Sequence, residues 1–158
     1  MNTKWSAKFR WSMVMVMCLF FGGVSHAADP SAAPKKFSVA IGGFLGGSFR
    51  VEMTAPDALV YTHNPRTFTG GPNTNQTTVK VTDAQWKAFR SRLDAAKVWT
   101  WKSDYVNNGI LDGTLWNLTA DFGDKKIESH GRNAYPDQAQ FDAMLAAVRE
   151  LLGGKDFR

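Results

Sequence analysis

Phe37-Ser38-Val39-Ala40-Ile41, then Gly42-Gly43-Phe44-Leu45-Gly46-Gly47, then Phe49-Arg50-Val51-Glu52-Met53 is the stretch on which the fold turns. Apolar side chains recur at every second position on both sides of a glycine-rich link. That is the period of two half-buried strands, not of a helix. The glycines permit a tight turn or bulge between them.

Working outward, Ala58 to Thr62 extends the strand pattern after a Pro56-Asp57 turn, and Thr77 to Val81 alternates again. Between them Asn64 to Gln76 is a polar loop. Thr82, with Gln85 three residues on, predicts a capping box. The helix it opens carries Trp86, Phe89, Leu93 and Ala96 on one stripe, with Lys87, Arg90, Arg92 and Asp94 elsewhere. Val98, Trp99 and Trp101 predict a short strand, which would turn both tryptophans to one face. Lys102 to Gly113 is polar. Thr114 to Phe122 and Lys126 to His130 read as a hairpin about Gly123-Asp124.

A closing helix follows, with Pro136 near its start, Asp137 and Gln140 as cap partners, and an apolar face of Phe141, Met144, Leu145, Val148, Leu151 and Leu152. Gly153-Gly154 ends it. Strands, helix, strands, helix, without regular βαβ alternation, predicts an α+β domain: an antiparallel sheet with two helices packed on one face.

The N-terminus reads as a secretory signal peptide. Lys4, Lys8 and Arg10 form a positive segment, an apolar run extends from Trp11 to Val24, and Ser25-His26-Ala27 offers small residues to a peptidase, so cleavage is expected between Ala27 and Ala28. A membrane anchor is the rival, but a span needs about 20 apolar residues and this run is shorter and broken by Gly22-Gly23. Met17 before Cys18 argues against a lipoprotein signal. Ala28 to Lys36 reads as a flexible leader, and 37–158 as a single domain.

Cleavage changes the composition. The signal carries three of the 19 basic residues and none of the 14 acidic ones, so the net charge falls from +5 to +2. The basic balance is largely a targeting feature, and nucleic acid is not an expected partner. Cys18, the only cysteine, leaves with the signal. No stable membrane span is expected after cleavage, and no cofactor.

Several phrases resemble those of a family of small exported bacterial proteins of unknown function. They are Gly42 to Gly47, Gln85-Trp86 with Phe89, Val98-Trp99-Thr100-Trp101 with Tyr105, Asp112-Gly113-Thr114-Leu115-Trp116, Asn133-Ala134-Tyr135-Pro136 and Leu151 to Lys155. The resemblance implies an envelope or secreted location and an α+β domain. It carries over no activity and no catalytic residue.

The residues themselves point to no reaction. Gly42 and Gly47 have the spacing of a phosphate-binding loop, but Ser48 stands where its lysine belongs. Asp104, Asn107, Asn108, Gly109 and Asp112 crowd oxygen ligands, yet Val106 and Leu115 break a calcium-loop pattern. His63 and His130, without a cysteine, do not make a zinc set. A Ser103 or Ser129, His130, Asp112 set, or a carboxylate pair of Asp112 with Asp121, can be assembled only on paper.

The concentration of Trp99, Trp101, Tyr105, Asp112, Trp116, Asn133 and Tyr135 is the feature to explain. Exposed, these residues would be a ligand-binding set for a protein, peptide or glycan; buried, the rings would be a core layer. The leading expectation is a binding or accessory domain. The alternative is a cell-envelope or glycan hydrolase using Asp112 with a second acid or His130. A third reading, an inhibitor or assembly partner, would use the Asn64–Gln76 loop.

Overall fold

The computed structural model describes residues 32–43, 46–66, 73–110 and 113–158. The expected cleavage site at Ala27 and Ala28, and Asp112, lie outside them. The strands are β1 (Lys36–Gly43), β2 (Ser48–Ala55), β3 (Ala58–Asn64), β4 (Asn75–Lys80), β5 (Asp104–Val106), β6 (Thr114–Asp121) and β7 (Lys126–Arg132); the helices are α1 (Asp83–Ala95) and α2 (Gln138–Leu151).

The strands form one sheet in the order β4-β3-β2-β1-β6-β7-β5. Every pairing is antiparallel except that of β5 with β7. The α+β architecture is therefore the one the alternating pattern predicts. Phe37, Val39 and Ile41 send their side chains to the same face as Leu118 and Val51, and that face carries the core. Both helices pack on it: Phe37 meets Trp86 and Phe89 of α1, and Trp116 meets Phe141 of α2. Among the described residues, no helix lies over the other face.

The caps form as the sequence predicts. The Thr82 hydroxyl accepts from the Gln85 N–H while the Gln85 side chain accepts from the Thr82 N–H at 2.9 Å. Asp137 accepts from Gln140 N at 3.1 Å. Gly153 and Gly154, at φ 69° and 87°, stop α2 by donating to the carbonyls of Glu150 and Arg149, the paired bonds of a left-handed helix stop.

Three expectations are corrected. Val98–Thr100 is a 3-10 turn, not a strand, because Lys97 enters the left-handed region at φ 55° and Trp101 N–H closes on Val98 O. Trp99 and Trp101 consequently diverge. The polar Lys102–Gly113 stretch contains β5, which joins the sheet edge next to β7. The leader is shorter than expected: Pro34 is buried, Lys35 N–H donates to Asp121 O at 2.6 Å, and Lys36 already begins β1.

One element of the core has no periodic signal. Beyond the α2 stop, Phe157 is fully buried against Phe49, Arg149 donates to Phe157 O, and the Tyr61 hydroxyl donates to Asp156 O at 2.8 Å. The tail thereby covers the β2–β3 part of the core face.

The two ends of the sheet differ, and this difference positions the candidate site. At one end the connections are short: Pro56-Asp57 between β2 and β3, and Phe122 to Lys125 between β6 and β7. At the other, Asn64, Ser48, Gly42, Leu115, Arg132 and Val106 lie side by side in one row across six strands. The β1–β2, β3–β4, β5–β6 and β7–α2 connections all leave from that row. Asn64 secures one of them, donating to Thr74 Oγ1 and accepting from Arg66 N, each at 3.0 Å.

Ion pairs brace the short-turn end. Asp57 pairs with Lys80 at 2.8 Å, Asp124 with Arg90 at 2.5 Å, and Asp94 with Lys125 at 2.8 Å. Hydrogen bonds to those cations hold the carboxyls of Asp57, Asp94 and Asp124 below their ordinary value of 3.8; for Asp121 the chief cause is the Gly123 N–H. A depressed carboxylate stabilises the fold fully above its unfolded pKa and stops doing so as the pH falls through its folded one. We therefore expect Lys125→Met to lower the melting temperature modestly at about pH 7, in keeping with the roughly 0.2–1 kcal/mol typical of exposed pairs. The deficit should vanish below the carboxylate range; thermal melts of both proteins across that range would show a constant gap if the pair contributed nothing.

Candidate functional site

A cleft of about 590 Å³ opens at the loop-bearing end. Its size falls within the roughly 300–1,000 Å³ of small-ligand and side-chain pockets. One wall is backbone, from Gly42, Gly43, Gly46, Gly47 and Gly113. The floor is apolar, from Ile41, Phe141 and Leu145, and the rim is polar, from Thr114, Tyr135, Gln138, Asp142 and Arg158. Alternation puts Ile41 on the core face, and helical spacing puts Gln138, Phe141, Asp142 and Leu145 on one side of α2.

On that rim Gln138 Nε2 donates to Asp142 Oδ1 at 2.9 Å. The Gln138 carbonyl oxygen and the second Asp142 oxygen are left to accept from a ligand. Arg158 brings the opposite charge, 3.5 Å from Asp156. The cleft therefore offers a charge-balanced rim, a glycine backbone wall and an apolar floor, a set suited to holding a polar chain with apolar side groups.

The structure divides the residues singled out from sequence. Trp101 and Trp116 are interior, 6.1 Å apart between ring centres and both against Phe141. Trp101 Nε1 donates to Gln140 Oε1 and Trp116 Nε1 to Ala134 O, so both indole N–H groups are satisfied inside. Tyr105, half-buried, lies on Trp116 at 5.8 Å, and its hydroxyl accepts from Lys102 N. Tyr135 is half-buried against Phe141 at 4.9 Å and reaches the cleft. These four rings form one layer with Phe141; only the rim of that layer is open to a ligand.

Trp99 is not part of it. Its ring edge meets Phe122 at 6.0 Å, its Nε1 donates to Asp94 Oδ1 at 2.6 Å, and Lys125 Nζ stands 6.0 Å from its centre. It braces α1 against the short β6–β7 turn at the opposite end. Asn133 is at the loop-bearing end, where its backbone N–H donates to Thr114 O at 2.9 Å. Asp112 precedes Gly113 of the cleft wall but lies outside the described residues.

Several paper constellations come apart. Ser129 faces the core and donates to Lys102 O at 2.7 Å, whereas its neighbour His130 points to the helix-free face and pairs with Asp104 at 3.1 Å. Adjacent strand residues cannot form a nucleophile–base pair. Asp121 ends β6 at the short-turn end, where its carboxylate accepts from Gly123 N at 2.7 Å and pairs with Lys126 at 3.2 Å. Asn107 and Asn108 spend their side-chain oxygens on Gly109 N and Arg132 Nη2. Among the described residues no three His, Cys, Asp or Glu side chains gather as a metal site.

Residues not anticipated from sequence are Gln138, Asp142 and Arg158, and three aliphatic side chains. Val106 is 43% exposed, Ile110 48% and Leu115 42%. Among the described residues these are the large hydrophobics that face solvent, and all three sit at the loop-bearing end. The signal was present in part: Val106 and Ile110 stand in a mostly polar run, and Gln138 and Asp142 flank the apolar stripe of α2 at a spacing of four. Arg158 has no local signal, because the buried Phe157 brings it to the cleft. No helix of the described residues is long and apolar enough to cross a membrane. Compared with protein-family models and with curated proteins, the chain matches none.

Proposed function

We propose that this is an exported, non-catalytic binding domain that holds a polypeptide partner at the loop-bearing end of its sheet. The observation that carries the reading is the convergence there of four connections, the cleft and every large exposed aliphatic side chain among the described residues. Connections on a rigid scaffold are where binding function concentrates. Export rests on the three-part N-terminal signal and on the resemblance to small exported bacterial proteins.

Polypeptide is favoured over glycan by the chemistry of the surface. A sugar face is recognised by an open aromatic ring, and here Trp101 and Trp116 are interior, Trp99 is engaged elsewhere, and Tyr135 at the cleft is half-buried against Phe141. Isolated branched aliphatics suit a protein surface instead.

The mature chain contains no cysteine once the signal is removed, so a single thiol-linked photo-crosslinker can be placed at will. Attached at Thr114, on the cleft rim, it should label a polypeptide in envelope or secreted fractions; attached at Asp124, at the short-turn end, it should not. The exported protein should begin at Ala28. Equal labelling from both positions, or none, would sink the reading. A labelled saccharide would replace it with the glycan alternative, and turnover on a hydrolase panel lost in Asp112→Ala would replace it with the enzyme.

A further inference from the structure

The face of the sheet away from the helices carries a small trough, separate from the cleft. The strand register builds it. Gly42 pairs with Ser48 on one side and Leu115 on the other, and Ala40 pairs with Arg50 and Asn117. Paired residues, and those two apart along a strand, share a face. These positions therefore lie opposite Ile41, Phe49 and Trp116 of the core. Gly42 and Ala40 make a low floor on β1. Ser48 and Arg50 form one wall on β2, and Leu115 and Asn117 the other on β6, around a cavity of about 180 Å³.

Ser48 distinguishes this trough from a mere gap between side chains. It is 3% exposed, and among the described residues its hydroxyl is the one buried side-chain polar atom without a hydrogen-bond partner. The hydroxyl leans over Gly42, where a Cβ would stand 2.4 Å from Ser48 Oγ. It is thus aimed from β2 into the space that the absent side chain leaves above the floor. A buried hydroxyl left unpaired costs stability, and such a group points to a partner supplied from outside the chain.

The neighbouring groups indicate that partner's chemistry. Arg50 Nη1 donates to Glu52 at 2.9 Å, and the other guanidinium N–H groups can only donate. Asn117 is exposed and brings amide donors to the facing wall. Ser48 can donate as well. Donors from three side chains, one of them cationic, call for an anionic acceptor, and a planar carboxylate matches a guanidinium well. Leu115, 42% exposed, offers an apolar contact opposite Ser48. The cavity has the volume of about six waters at roughly 30 Å³ each. That is room for a carboxylate on a short alkyl group and too little for a nucleotide.

We infer that this trough binds a carboxylate carried on a short branched alkyl group, held by Arg50, Asn117 and Ser48 with the alkyl group against Leu115. A free small acid and the C-terminal residue of a polypeptide share that chemistry. The inference does not rest on the loop-end reading, since the cleft is lined from the helix-bearing side of the sheet.

Backbone amide shifts of the isotope-labelled protein, titrated with 3-methylbutanoate, test it. Saturable shifts are expected at residues 40–42, 48–50 and 115–117, with binding about tenfold weaker for the uncharged 3-methylbutanamide. Arg50→Gln should weaken binding of the acid about 10- to 100-fold. Ser48→Ala should weaken it about three- to tenfold. That variant should melt at the same temperature or higher, because it deletes a hydroxyl that nothing in the free protein satisfies. A merely structural serine would give the opposite pair, a lower melting temperature with unchanged affinity, and this would overturn the inference. So would equal binding of acid and amide, no saturable shift, or shifts with inorganic phosphate alone. The peptide Gly-Gly-Leu separates the two sources. Tighter binding than 3-methylbutanoate, lost in the C-terminal amide, would assign the trough to a chain end; weaker binding would assign it to a free acid.

Discussion

Trp86→Ala is expected to cost about 3–5 kcal/mol of stability, the range for truncating a large buried aromatic, and so to remove a large share of the roughly 5–15 kcal/mol that a domain of this size possesses. Trp86 is fully buried at the centre of the α1 contact with the sheet. Its ring meets Phe37 edge-on at 5.6 Å and Phe89 at 5.9 Å, and its Nε1 donates to Pro56 O at 2.7 Å. One side chain therefore joins the helix, the central strand β1 and the β2–β3 turn. Truncation opens a cavity that three separate elements must collapse around, and it strips the Pro56 carbonyl of its donor. Trp86→Phe should cost less, about 2 kcal/mol, because the ring contacts survive while the carbonyl is orphaned. Urea unfolding of the protein followed by circular dichroism would read both values. An alanine variant within about 1 kcal/mol of the parent would mean that α1 is held by other contacts.

Gly131→Ala is the second large effect, expected at about 2–4 kcal/mol by overpacking of an already filled core. Gly131 lies on β7 directly opposite Trp116, and the indole occupies the space where a side chain would stand. An added Cβ would collide with Trp116 Nε1 and Cε2 and come within 2.5 Å of Ala134 O. The ring cannot retreat, since Trp101, Tyr105 and Phe141 hold it at 6.1, 5.8 and 5.1 Å. Accommodation would break the Trp116 to Ala134 hydrogen bond and shift the Asn133–Ala134 segment that carries the cleft rim. Because the closest of these contacts are with the indole, the cost should be non-additive: in a Trp116→Phe background, which withdraws those atoms, Gly131→Ala should cost at least about 1 kcal/mol less. Additive costs would show that the strain lies in the backbone of β7 instead.

The route from sequence to structure was direct wherever the deciding interaction is local. Alternation at Phe37, Val39 and Ile41, and at Phe49, Val51 and Met53, selects strands because successive side chains must point to opposite faces. The resulting α+β sheet, with both helices on one face, is what forms. Thr82 with Gln85, Asp137 with Gln140, and Gly153-Gly154 are legible for the same reason, since each satisfies backbone groups within one turn of itself. Even Trp86 was readable as core from its place on the α1 stripe.

The candidate site was legible only in part. Trp99 and Trp101 looked like one pair because the pattern around them suits a strand. Lys97 in the left-handed region sends one ring to Asp94 and Phe122 and the other to Trp116 and Phe141. Asp104 to Val106 is too short and too polar to announce itself; β5 exists because the end of β7 offers it a free edge. Phe157 is isolated in sequence and becomes core only through Phe49 and Arg149.

Periodicity, capping and helix stops were thus written in the chain itself: they are settled between residues a few positions apart, where the intervening backbone fixes the geometry. The partner of each ring, the short edge strand and the gathering of Gly42, Ile110, Gly113 and Asp142 at one end were decided by the tertiary structure. Those depend on which strand ends share a row of the sheet, and that is set by pairings between residues dozens of positions apart.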